Sequence, residues 1–403
     1  MIALPPTLPL VRDAPLSDIK RGKALSRAPA PHRPMMKTIE YKVEFLTPAF
    51  LGNAEQSGQW RTPPFKALLR QWWRVAVAHS VGYDDYRELR RREAQLFGHA
   101  WLESDKDAKG KPVHARASSL RMRLSRWDDG REKTTTAWGN RELEKNWKIK
   151  HPEVPPPIGP LLYLGYGPLK TDREALSGKT VYPTKLKSNI AIQSGEWATL
   201  SVAVSEEYIE EIESAFFLMD AYGTLGGRSR NGWGSARFTG IDGFPRKPEF
   251  SAVPQIDWTK ALKRDWPHAV GRDGEGPLVW EFAEPFPEWQ QAMKELAKFK
   301  ISLRTQFKFH SGEPHSAAED RHWLSYPITK HKVKGWDNLR LPNSLRFKLR
   351  PVAGSSDKLK AVVFHMPCLP PKDFRPELPK VRAVWDRVHR FLDSSSALRR
   401  ISE

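Results

Sequence analysis

The sequence predicts an α+β protein in which helices cover one face of antiparallel sheets, an arrangement made twice along the chain. Three observations lead there. Strand and helix patterns alternate at short intervals, paired strands separated by turn residues occur between helices, and 403 residues exceed what one ordinary core holds. The duplication follows from element order alone, since no close internal sequence repeat is present.

Residues 1–36 carry Pro5, Pro6, Pro9, Pro15, Pro29, Pro31 and Pro34. That spacing supports no regular element and reads as a disordered extension. Met35 and Met36 close it and suggest an alternative translational start, which the intact mass of the native protein tests. Order begins with TIEYKVEFL (38–46), where alternation and β-branched residues predict a strand. Helices follow at 63–79 and 87–97, then a strand LRMRLS (120–125) with Arg121 and Arg123 on one face. Residues 126–160 are polar and proline-rich and read as an irregular insertion. EWATLSVAVS (196–205) is a strand. Residues 206–223 form a helix with acidic residues in its first turn, where they complement the helix dipole. SARFTGI (235–241) is the next strand, and the first domain spans 37–245.

A stretch rich in proline, glycine and charge (242–276) separates it from a second domain, 275–403. That domain reads as strand LVWEF (278–282), helix 288–299, strand KISLRTQFKF (300–309) and a polar loop with His310, His315, His322 and His331. A hairpin of 344–351 and 358–366 and a helix over 378–392 complete it.

Sixty-six lysines and arginines against 47 acidic residues give a net charge of +19. Such a balance calls for a polyanionic partner, nucleic acid first, with an anionic membrane surface as the rival. No apolar run is long enough to span a bilayer. The single cysteine, Cys368, excludes a disulfide framework and cysteine-rich zinc modules and fits a reducing cytoplasm.

Two stretches carry the functional signal. In GQWRTPPFKALLRQWWRVAVAH (58–79), Thr62 suits an N-cap and Pro63 the first helical position. Phe65, Leu68, Leu69, Trp72, Val75 and Ala76 share one side. Lys66, Arg70 and Arg74 form a stripe on another, and Arg61 precedes them. The segment holds no acidic residue, so the stripe repels itself unless a phosphate backbone runs past it. Trp72 reads as core. Trp73, at the seam, and Trp60 are available to stack on a base or to pack locally. In YGTLGGRSRNGWGSARF (222–238), five glycines, Gly226 and Gly227 among them, surround Arg228 and Arg230. The pattern is neither a Walker A loop nor a dinucleotide fingerprint. Flexible backbone N–H groups with two arginines suit phosphates, whereas a helix C-cap needs one glycine. The four histidines, with Glu319 and Asp320, lack the spacing of a metal site, and no histidine pair is singled out for acid–base work.

Together, TPAFLGNAEQSGQWRTPPFKALLRQWWRVA and GTLGGRSRNGWGS resemble the RAMP superfamily of CRISPR effector proteins. The double tryptophan, with HWLSYPITKH and RLPNSLRFKL (340–349) in the second half, is similar to the first-subunit family of the Cmr, or type III-B, complex. Pro64 and Ala67 stand where that family usually has a small residue and glycine. The resemblance implies two tandem ferredoxin-like (RRM-like) domains and a non-catalytic subunit that holds crRNA, towards its 3′ end, and target RNA for antiviral defence. Other RAMP subunits would be its partners. It implies RNA contacts from Arg61, Lys66, Trp73, Arg70, Arg74, the Gly226–Gly227 turn, Arg228, Arg230 and Arg340, with no catalytic residue, metal, cofactor or membrane partner. The rival reading is a RAMP-family endoribonuclease in crRNA processing or target cleavage. It would use Asp84 or Asp85 as the acidic residue, or a histidine without metal.

Overall fold

A computed structural model describes residues 35–241 and 254–401, except 56, 103–104, 108, 131–137, 139–145, 177–178, 188–190 and 356. The proline-rich extension and much of the 242–276 linker lie outside the described residues, as does part of the 126–160 insertion.

The first half follows the path β1 (Met36–Phe45), α1 (Thr62–Val77), α2 (Tyr86–Phe97), β2 (Arg121–Leu124), β3 (Trp197–Ser205), α3 (Ile209–Tyr222) and β4 (Ala236–Gly240). Its sheet has the order β4-β1-β3-β2, antiparallel throughout. Val43 lies opposite Phe238 on one side and Ala198 on the other. Strict alternation along β1 buries Ile39, Tyr41, Val43 and Phe45 and leaves Glu40, Lys42 and Glu44 on the far face. The apolar stripes of α1 and α3 cover the buried face, with Tyr41 stacked on Phe216 at 4.0 Å.

The second half repeats this path: β5 (Val279–Phe282), α4 (Trp289–Thr305), β6 (Leu345–Pro351), β7 (Leu359–His365), α5 (Leu378–Asp393) and β8 (Leu398–Arg400). Its order is β6-β7-β5-β8, again antiparallel. The two sheets share a second regularity: in each, a helix follows the first and the third strand in chain order.

Five features differ from the sequence expectation. The strand expected at 300–309 is, over 300–305, the continuation of α4, because Phe299, Ile301 and Leu303 are buried on a helix that no glycine or proline interrupts, and 306–309 are irregular; a short apolar run has no period of its own to decide the matter. β8 is too short to leave a pattern. The insertion contains a hairpin, Ile149–His151 with Val154–Ile158, and the linker a small sheet of Gln255–Asp257, Val270–Asp273 and Gly276–Pro277. The second sheet is covered on both faces. Phe347, Leu349 and Val363 pack under α4 and α5, whereas Val279, Val362 and Phe364 join the first half's core, Phe364 against Tyr222 at 4.8 Å.

Cations of β6 cross this second junction. Lys348, fully buried, donates to the carbonyls of Gly223 (2.6 Å) and Ala236 (2.5 Å), and Arg350 donates to that of Ala221 (2.5 Å). Ala221 and Gly223 lie at the end of α3, where carbonyls lack helical partners and the dipole favours positive charge. Burial nonetheless pushes the Lys348 amine down from 10.5 to about 7. Between those values the unfolded chain binds a proton that the folded chain lacks. Folding stability therefore rises with pH across that window, by up to about 1.4 kcal/mol per unit, and the penalty is fully present below it. In urea titrations, Lys348→Met is expected to remove this slope, so that the wild type gains on the variant from pH 7 to pH 10. A difference independent of pH would show that the amine does not titrate there.

Among the described residues no helix is long and apolar enough to cross a membrane.

Candidate nucleic-acid interface

The stripe on α1 is not without acidic partners. Glu93 of α2, 5% exposed, accepts from the guanidinium of Arg70 and from both Nε and a terminal nitrogen of Arg74, the last at 2.6 Å. Glu93's hydrogen bonds hold Arg74 ionised above its usual range. Arg70 and Arg74 keep about two fifths of their side chains exposed, but part of their charge is answered from within the protein. Lys66 has no carboxylate within ion-pair distance among the described residues, and burial together with the neighbouring Arg70 lowers its pKa. Lys66 and Arg70 line one side of an open cleft of about 890 Å³, which Arg90 and Arg116 also border.

The stacking role expected of Trp73 is corrected by its burial. Trp73 is fully buried, with its indole N–H donating to Glu211 (2.8 Å) and Phe97 against its ring. Helix α2 and Glu211 of α3 close over the seam where Trp73 sits. Trp60 is also fully buried, stacked on Phe65 at 6.0 Å. Neither ring offers a face to a base. The N-cap of α1 is Arg61, in extended conformation, one residue before the expected Thr62; its guanidinium donates to the carbonyl of Gly52 (2.5 Å).

The two stretches that carry the family signal meet in space. Thr47 Oγ1 donates to the carbonyl of Gly232 (2.8 Å) and accepts from the Ser235 N–H (2.9 Å). The N–H of Gly234 donates to Pro48 (2.9 Å) and that of Gly227 to Phe50 (3.0 Å). Gly226 lies against the same Phe50 carbonyl. The N–H groups of Asn231 and Gly232 are taken by Arg228 and Ser229. The flanks of the loop are therefore fastened internally, whereas the N–H groups of Arg228, Ser229 and Arg230 at its tip have no acceptor among the described residues, so the expected N–H donors survive only there, beside the side chains that carry the charge.

Those side chains are joined by cations the sequence did not single out. Arg228, with φ +56°, stands at the tip of the loop. Arg230 donates to the Asn343 carbonyl (3.3 Å), and burial lowers its pKa. Lys300 of α4 donates to Asn231 Oδ1 (2.7 Å); burial, then Arg304 and Arg228, push its amine down to about 7. Arg304 donates to Ser325 Oγ (2.8 Å). Arg346 of β6 is buried with its Nε unpartnered, and burial and Arg230 push it to about 9. None of these groups forms an ion pair with a carboxylate among the described residues. Positive charge concentrated at low dielectric without counter-charge favours an anion. Arg340 is on the loop that holds Asn343 and donates to its neighbour's carbonyl, Leu339 (2.9 Å).

The acidic positions considered for cleavage have other duties: Asp85 caps α2 through the Glu88 N–H (2.9 Å) and Asp84 pairs with Arg264. The histidine loop forms a chain. Glu319 pays a cost for burial that Ser311 and backbone N–H groups outweigh, so its carboxyl stays ionised well below the usual range. It meets His315 Nδ1 (2.9 Å), and His315 Nε2 meets His331 Nδ1 (3.0 Å). His322 accepts from the Glu319 N–H (3.0 Å). No group of these residues is placed to hold a metal among the described residues.

The sequence matches the RAMP superfamily model over residues 42–237. No curated protein matches. Solved structures similar to this chain include Cmr1 from Pyrococcus furiosus in its apo form, at 13% identity over 85% of this chain and 92% of that one, with a TM-score of 0.42. A chain of the type III-B Cmr-beta bound to cognate target RNA aligns at 11% identity over 86% and 99%, with a TM-score of 0.42. A chain of a type IV-B CRISPR complex covers 57% of this chain, with all of its own length aligned, at 13% identity and a TM-score of 0.28. α1, the Thr47–Phe50 segment and most of the glycine-rich loop all lie inside the residues that match the RAMP superfamily model.

Proposed function

We propose that this chain is a non-catalytic RNA-binding subunit of a type III CRISPR effector ribonucleoprotein. It holds crRNA, towards its 3′ end, and target RNA alongside other RAMP subunits in the cytoplasm. The observation that carries this reading is the set of cations without a carboxylate partner, Arg228, Arg230, Lys300, Arg304 and Arg346, drawn from both halves around the glycine-rich loop. Their charge suits phosphates, whereas no carboxylate among them supplies a base. The antiparallel four-stranded sheet in each half, with helices after its first and third strands, supports two tandem ferredoxin-like domains. Sequence would be read by guide pairing, with the protein gripping shape and backbone, as in other guided complexes.

Native pull-down with sequencing of bound RNA and mass identification of partners tests the reading. Repeat-derived guide RNA with sibling subunits is expected. Recovery of the chain alone, with random RNA or none, would overturn it. Cleavage of guide-repeat or target RNA by the isolated chain would overturn its non-catalytic part.

A further inference from the structure

Trp101 is 65% exposed, in a chain that buries Trp60, Trp72, Trp73, Trp233 and Trp280 completely. Its ring borders two hollows at once. One is the cleft of about 890 Å³, within the size range of small-ligand sites, whose walls include Ala94, Phe97, Ala115 and Ala117 and whose rim carries Lys66, Arg70, Arg90 and Arg116. The other is a smaller apolar recess of about 180 Å³ formed with Leu102, Pro112, Val113 and His114. The His114 ring lies 6.1 Å from the indole.

The wall that presents Trp101 is fixed. His99 and Arg116 exchange backbone hydrogen bonds, both 2.9 Å. Asp105, nearly fully buried, binds His99 (2.7 Å) and Arg116 (2.8 Å), and the Arg116 hydrogen bond helps hold its carboxyl down to about 2. At Gly98, φ is +80° and an added Cβ would meet the Arg116 carbonyl and the Ser118 nitrogen at 2.7 Å, so only glycine allows the two segments to approach this closely. A pinned wall with an exposed indole is preorganised for a flat ligand.

We infer that this cleft seats one unpaired nucleotide of the bound RNA, its base on Trp101 and its phosphate among Lys66, Arg70 and Arg90. The inference rests on the RNA-binding reading above. An isolated phosphate would have no use for the indole, and a base held in a duplex presents no face to it; an unpaired nucleotide uses both the ring and the cations. Lys66 and Arg90 have no carboxylate partner among the described residues, so both remain free for phosphate.

The test is fluorescence anisotropy with the full chain and a labelled single-stranded RNA. Trp101→Ala is expected to weaken binding about 5- to 100-fold with the dependence on salt unchanged, because stacking releases no counterions. Trp101→Phe should recover most of the loss. An abasic position walked along the oligonucleotide should reproduce the loss at one place in the wild type and add nothing in Trp101→Ala. Equal binding by the wild type and Trp101→Ala would overturn the inference and leave the RNA-binding reading standing. Absence of RNA binding by the wild type would overturn both. Because the side chain is exposed, an unchanged thermal midpoint confirms that the variants fold.

Discussion

Gly234→Ala is expected to cost about 4 kcal/mol or more and to leave little folded protein, given total stabilities of roughly 5–15 kcal/mol. A Cβ at this position would lie 1.8 Å from the Leu225 carbonyl oxygen, with φ at +66°. The residue has no room to retreat. Its N–H is bound to Pro48 and its carbonyl to the Leu225 N–H, both at 2.9 Å. Relief would require breaking the bonds that fasten the glycine-rich loop to the first strand's end. Gly354→Ala is the control: φ there is +75°, but nothing lies within 4 Å of the added carbon. Only the left-handed conformation opposes it, at about 1 kcal/mol. Urea midpoints of the two variants separate close approach from backbone preference, and equal losses would refute the close-approach argument.

The second large effect is on RNA. Replacing Arg228 and Arg230 with Gln and Arg346 with Met is expected to lower affinity for single-stranded RNA about a hundredfold or more, since each charge-assisted hydrogen bond contributes about 1.5–3 kcal/mol. The slope of log K against log salt should flatten by about 0.7 for each phosphate that the variant no longer neutralises. Stability should respond in the opposite sense at Arg346. Its buried Nε has no partner and its charge has no counterion among the described residues, so Arg346→Met alone should fold at least as stably as the wild type. A protein that keeps a destabilising cation keeps it for binding. An unchanged salt slope in the triple variant, or marked destabilisation by Arg346→Met, would mean that the cluster serves the fold.

Much of the local structure was legible. The alternation of β1, the apolar stripe and prolines that open α1, the acidic first turn of α3 and the glycine-rich loop are all written in short windows, where period and turn chemistry act within a few residues. Residues 300–305 were not, because ISLRT alternates like a strand yet extends a helix whose face is chosen by the packing of Phe299 and Leu303.

The site divides in the same way. The sequence by itself determined that the chain is basic, that Lys66, Arg70 and Arg74 share a helix face, and that two arginines sit among glycines. The tertiary structure alone decided which charges stay unanswered. Glu93 neutralises part of the α1 stripe from the next helix, Trp73 is closed over by α2 and Glu211, and Lys300, Arg304 and Arg346 arrive at the glycine-rich loop from the second half. Periodicity fixes which side chains share a face of one element. Which face meets which is settled by burying the apolar sides of both halves against each other, and that packing, with Phe364 on Tyr222, is what brings the distant cations together.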